Sequence, residues 1–174
     1  MTLICGKSIN LRVAEISDAS FILGLRTQSD KARFLSPVEN DLVKQQAWLQ
    51  SYKQKEQAGL EYYFVIESKH AEKLGLVRVY DLQPDSFCWG SWLIIDGAPI
   101  STGLESMLLV YSFGFNQLGL NFARIDVRND NKKVLGIHKG FGAKVINVNT
   151  VDTFFQITKD TYLKKLSKYR KYFI

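Results

Sequence analysis

The chain has 174 residues, 46% hydrophobic, 23% charged and 13% aromatic, which suits a folded protein with one full core and leaves too little chain for two. Net charge is +6, yet the segment from Lys159 onward holds six basic residues against one acid, Asp160, leaving 17 basic and 16 acidic residues before it. A near-neutral body with a solvated basic tail argues against a nucleic-acid partner, and no apolar run approaches the ~18 residues of a membrane span.

In chain order, Ile9 to Ala14 alternates like a strand, and Ser17-Asp18 offers a cap to a helix carrying Phe21, Ile22 and Leu25. Asp30 to Asn40, with Pro37, reads as a loop. A helix is predicted from about Asp41 to Ala58, with Gly59 as its stop. Tyr62 to Glu67, Leu74 to Asp81 and Phe87 to Ile95 form an expected antiparallel meander, with Gln83-Pro84-Asp85-Ser86 as its last turn. From Thr102 to Leu120, apolar residues at three- and four-residue steps predict a buried central helix closed by Gly119. Phe122 to Arg128 is then a strand and Lys132 to Lys139 a short helix. Lys144 to Ile157 holds two strands divided near Asn147 to Thr150, and Asp160 to Tyr172 a final amphipathic helix. No repeat or linker interrupts the chain, so one domain, 1–174, is expected. The start, Met-Thr-Leu-Ile-Cys-Gly-Lys, lacks the basic and long apolar parts of a secretory signal, which predicts a cytoplasmic location without a membrane partner. Two cysteines and two histidines give no metal-ligand cluster, so Cys5 and Cys88 read as reduced, packed thiols and no metal is expected.

Two regions carry the chemistry. The first is Trp89-Gly90-Ser91-Trp92-Leu93-Ile94-Ile95 followed by Asp96 to Glu105. The second is Val127 to Asn131, then His138 seven residues on, and Phe141-Gly142-Ala143. Two helical turns separate Asn131 from His138, so both can face one crevice. With the order of elements around them, these regions make nearly the whole chain resemble the GNAT superfamily of acyl-CoA-dependent N-acetyltransferases, in the branch that includes the ribosomal-protein N-acetyltransferases. The resemblance implies an α/β fold: a mixed, mostly antiparallel twisted sheet with a splayed central strand pair, flanked by helices.

It also implies a donor, acetyl-CoA, and its contacts. Main-chain groups of Trp92, Leu93 and Ile94 would pair with the pantetheine arm as an added strand does. The helix start at Ser101, Thr102, Gly103 and Leu104 would receive the pyrophosphate, where free N–H groups and the helix dipole favour negative charge. Asn131 would anchor the cofactor arm. The family's glycines are missing at Pro99 and Ser101, and Thr102-x-x-Glu105 also reads as a plain capping box. His138 stands where the family most often has Tyr, and an imidazolium of ordinary pKa, ~6.5, suits protonation of the leaving thiolate.

The carboxylate that many relatives carry at the start of the fourth strand is replaced here by Cys88. Asp81 is the substitute base, with a turn residue as the competing reading. Nothing nearby lowers the pKa of Cys88, which argues against an acetyl-enzyme. Arg78, Tyr80 and Trp89, with Trp92 and Phe34 beside them, are assigned to the acceptor, though aromatic strand residues also serve as core and an internal acid would serve Arg78 equally.

The expected reaction is direct attack by a primary amine on the thioester, with a small-molecule acceptor, by preference a nucleotide-linked amino sugar. A ribosomal-type protein N-terminal or lysine acetyltransferase and a non-catalytic acyl-CoA-binding module are the alternatives. A monomer and a homodimer fit equally.

Overall fold

A computed structural model describes residues 3–28 and 30–169. Their strands make one eight-stranded sheet in the order β1 (Leu3–Cys5), β2 (Ile9–Val13), β3 (Tyr62–Ser68), β4 (Lys73–Tyr80), β5 (Ser86–Ile94), β6 (Phe122–Arg128), β8 (Asp152–Thr158), β7 (Lys144–Val148). All neighbours run antiparallel except β5 and β6, which are parallel because a helical crossover joins them. Period-2 burial along β2, β6 and β8 is the alternation visible in the sequence.

On one face, α1 (Ala19–Gln28) and α2 (Leu42–Gln57) pack Ile22, Leu49 and Tyr52 against Tyr63, Val65 and Leu76. Asp41 caps α2 by accepting from the Lys44 N–H at 3.0 Å, and Gly59 takes φ +69° beyond its end. Buried Asp18 fixes the start of α1 to the sheet through Arg12 at 2.9 Å and Lys73 at 2.7 Å. Burial opposes the Asp18 charge, but Arg12 and the Glu15 main chain outweigh it and hold the carboxyl down at about 2.

On the other face lie α3 (Ser101–Ser112), α4 (Lys132–Phe141) and α5 (Lys159–Tyr169), which bury Leu108, Tyr111, Phe141 and Tyr162 against Phe64, Val77, Phe87, Trp89 and Phe155. The predicted continuation of the last helix over 170–172 lies outside the described residues.

Four local features depart from the sequence reading. The connection after α1 contains a short 3-10 helix, Asp30–Phe34, and the edge strand β1 has too few residues to show a period. The central α-helix stops at Ser112 and widens into a π-helical turn, Phe113–Gln117. There the Phe87 ring rests on bare backbone: a Cβ on Gly114 would lie 2.1 Å from it. Thr102-x-x-Glu105 is no capping box, because Glu105 turns inward and accepts from the N–H groups of Ser8 at 2.7 Å and Ile9 at 3.3 Å. Glu105→Ala strands these donors in the core and should lower the unfolding free energy in urea by about 3 kcal/mol, while Glu105→Gln, which keeps an acceptor, should lose less.

The feature that positions the site is a fork. β5 pairs with β6 only from Ser86↔Phe122 to Cys88↔Arg124, although β5 runs on to Ile94 and β6 to Arg128. Each stays joined to its outer neighbour, β5 to β4 as far as Ile94↔Gly75 and β6 to β8 as far as Arg128↔Asp152. A bulge opposite Val77, where Ser91 takes φ +48°, bends β5 away.

Candidate active site

The fork opens into a cavity of about 850 Å³, within the range of small-molecule sites. Its walls are β5 from Trp89 to Trp92 with Ile94, β6 from Ile125 to Arg128, the first turns of α3 and α4, and the 3-10 segment Lys31 to Leu35. Beyond Cys88 the edge of β5 that faces β6 has no ladder partner, so its peptide groups can pair with an extended ligand.

The N-terminus of α3 meets the same cavity. Its cap residue, Ile100, is fully exposed and has no side chain that could accept a bond from the helix. Gly103 and Leu104 line the cavity, whereas Ser101 and Thr102 do not; Thr102 is buried with a hydroxyl lacking a hydrogen-bond partner. The Trp92 indole donates to Ser106 Oγ at 3.1 Å, and Ser106 donates to the Gly103 carbonyl at 3.0 Å, tying the β5 wall to the first turn of α3. Ile94 lines the cavity, while Leu93 points into the core. Lys31 bridges the cleft's outer end by donating to the Ile94 carbonyl at 2.8 Å and to Asp96 at 2.7 Å.

Across the fork, Asn131 caps α4 through the Val134 N–H at 3.4 Å and lines the cavity with Lys132 and Lys133. His138 lies two turns further along and reaches the cavity floor, edge-on to Trp89 with ring centroids 5.3 Å apart. It is 1% exposed, and its Nδ1 is buried without a partner. Burial with no nearby carboxylate pulls its pKa down to about 4, so the ring is neutral at pH 7. The imidazolium expected from an ordinary pKa is corrected accordingly.

The structure relocates several other predicted residues. Asp81, at φ +47°, sits at the far end of β4 outside the cleft, where Arg124 at 2.8 Å and then Gln83 at 2.8 Å hold its carboxyl below the usual range. Arg78 is spent on buried Glu61 and lies over the rings of Tyr80 and Trp48, beside a separate cavity of about 350 Å³. Glu61 and Arg78 meet because Tyr62 pairs with Val79, which brings the ends of β3 and β4 together. Trp89 is core, facing α3 and α4 rather than the side from which Arg78 and Tyr80 project. Tyr80 faces Asp126, 3.5 Å from its hydroxyl to Oδ1, and burial raises its pKa.

Asp126 was not legible as a site residue. It alternates with buried Ile125 and Val127, so it reads as the solvated side of a strand. The structure puts it in the fork, with Cys88 Sγ 3.6 Å from Oδ1. Burial pushes the Cys88 thiol up to about 12, which leaves it protonated and unsuited to nucleophilic attack.

A parallel strand pair that opens at its end, with a helix start lacking a side-chain cap beside it, defines a protein with a cleft between two half-sheets that an extended ligand can enter. Residues 8–144 match the family model described as acetyltransferase (GNAT) domain. The chain belongs to the GNAT family, whose members use acetyl-CoA, and is an N-acetyltransferase that moves an acetyl group to an amine. It is similar to apo FdhC, described as a nucleotide-linked sugar GNAT, with 32% identity and a TM-score of 0.92 over 99% of both chains. It shares its fold with spermidine N-acetyltransferase from Vibrio cholerae in complex with CoA and spermine, at 18% identity and TM-score 0.75 over 90% of this chain and 98% of that one. A GCN5-related N-acetyltransferase from Brucella melitensis has 13% identity and TM-score 0.79 over 98% and 84%. No curated protein gives a match. Among the described residues no helix is long and apolar enough to cross a membrane.

Proposed function

We propose that the chain transfers acetyl from acetyl-CoA to the amino group of a nucleotide-linked sugar. The observation that carries this reading is the likeness to FdhC across essentially the full length of both chains. The donor fits the residues present. The β5 edge that faces the fork from Trp92 to Ile94, apart from the Ile94 carbonyl held by Lys31, offers peptide groups to the pantetheine arm, and the start of α3 at Gly103, whose N–H precedes the first intrahelical bond, offers a donor to the pyrophosphate beside Leu104. Lys132 and Lys133 add positive charge at that end, and Asn131 orders the first turn of α4. Pro99 donates nothing, so the phosphate contacts fall to residues after it.

Charge favours an anionic acceptor. The cleft lining carries Lys31, Arg33, Arg128, Lys132 and Lys133 against Asp126 and Asp130, and with Asp96 and Asp152, which pair with Lys31 and Arg128, counted as well, five cations against four acids leave a net of one positive charge. A nucleotide-linked sugar is drawn to such a surface, whereas a polyamine or a basic peptide is repelled. Arg33, which lies over the Phe34 ring at 4.7 Å, takes over the acceptor role expected of Arg78. Catalysis rests on holding amine and thioester together in the fork, with β5 main-chain N–H groups polarising the carbonyl.

Thiol release from acetyl-CoA, measured with nucleotide amino sugars, basic peptides and polyamines in parallel, tests this. Turnover is expected with the amino sugars and should fall as salt is raised. Turnover confined to peptides or polyamines would overturn the acceptor, and acetyl-CoA binding without transfer to any amine would favour the binding module.

A further inference from the structure

We infer that Asp126 is the catalytic group that takes the proton from the attacking amine, an inference that rests on the fork being the place of acetyl transfer. A primary amine reaches the enzyme mostly as an ammonium and cannot attack until it loses a proton. Cys88, which burial keeps as a thiol, cannot take that proton, and Asp81 is turned away against Arg124. Among the described residues, the carboxylates lining the cleft are Asp126 and Asp130. Asp130 follows the end of β6, at the entrance to α4 beside Lys132 and Lys133, the end assigned to the donor's phosphates.

Asp126 lies two residues past Arg124, the last β6 residue paired with β5, and therefore just inside the point where the strands part. Strand alternation puts it on the face shared with Cys88, Gly90 and Tyr80, opposite the face on which Trp89 meets His138. The two sides of the fork thus separate the amine's proton from the sulfur. Cys88 Sγ at 3.6 Å and the Tyr80 hydroxyl at 3.5 Å both approach Oδ1, so the thiol and the phenol help hold the carboxylate. Arg124 and Arg128 flank it on β6, Arg124 being bound to Asp81 and Arg128 reaching Asp152; β8 brings Phe154 opposite, and the 3-10 segment brings Lys31 and Arg33 to the same cavity.

The step balances simply. Asp126 accepts one proton from the ammonium and passes it to solvent. The freed nitrogen pair forms the C–N bond as the C–S bond breaks with its electrons on sulfur. The nitrogen then gives up a second proton, equal to the one the thiolate takes up.

The test compares wild type, Asp126→Asn and Asp126→Glu with the amino sugar, with a small primary amine and with hydroxylamine, which is already neutral at pH 7. Asp126→Asn should lose about 10²- to 10³-fold in kcat at pH 7 with both amines, keep its acetyl-CoA affinity within about twofold, and keep turnover with hydroxylamine. Its deficit should shrink as pH rises and the amine deprotonates unaided; Asp126→Glu should recover part of the rate. Equal loss with hydroxylamine, a deficit constant with pH, or wild-type turnover would each overturn the inference. If wild type ignores the amino sugar, the acceptor assignment fails, while Asp126 is still judged with the small amine.

Discussion

His138→Phe is expected to lower kcat about 10²-fold while acetyl-CoA affinity stays within a few-fold, as loss of one preorganised donor to a developing charge does elsewhere. A ring held neutral by a pKa of about 4 has no spare proton to deliver at pH 7. The role we propose for it is to point an N–H at the leaving sulfur, with solvent supplying the proton. A phenol at this position can make the same contact, so His138→Tyr should retain more activity than His138→Phe. The kcat profile should also show no limb near pH 6.5; a fall centred there would mean that an imidazolium does the work. His138→Ala should lose activity similarly, and stability as well, since the ring fills space against Trp89 and Phe155. The folded pKa lies below the unfolded value of 6.5, so unfolding takes up a proton and stability is full above about pH 6.5. It falls as pH drops toward 4, by about 3 kcal/mol. Urea unfolding of wild type and His138→Phe at pH 7 and pH 4.5 isolates this contribution, which the variant should lack.

Gly90→Leu is expected to cut kcat/KM for the acceptor by at least about 10²-fold and to change acetyl-CoA affinity by less than about threefold. Gly90 lines the cleft on the Asp126 side, where a Cβ would stand 3.1 Å from the Tyr80 hydroxyl and a longer side chain would fill the amine's approach. In the proposed binding mode the donor arm pairs with main-chain groups along the edge of β5 and does not require that space. Titration calorimetry with acetyl-CoA beside steady-state kinetics separates the two. Loss of donor binding with unaltered acceptor kinetics would reverse the assigned direction of attack.

Much of the fold was legible because it depends on local periodicity. Leu11 and Val13 alternate with polar neighbours, Asp41 and Gly59 bracket α2, and Ile125 and Val127 mark the inner side of β6. The π-turn at Phe113 escaped because α and π turns share nearly the same apolar spacing, and Phe87, from another strand, decides between them. Arg78 followed the same logic: a strand arginine needs an anion, and only the pairing of β3 with β4 shows that Glu61 is that anion.

The amino-acid sequence by itself determined the order of the main elements, a helix start near Thr102 and the seven-residue step from Asn131 to His138, since each is set by residues close in the chain. Tertiary structure decided where β5 and β6 part, that the His138 ring is neutral, that Asp81 is turned away and that Asp126 faces Cys88. These depend on segments that meet across the sheet, where water is excluded and charges find partners, and chain spacing carries no record of either.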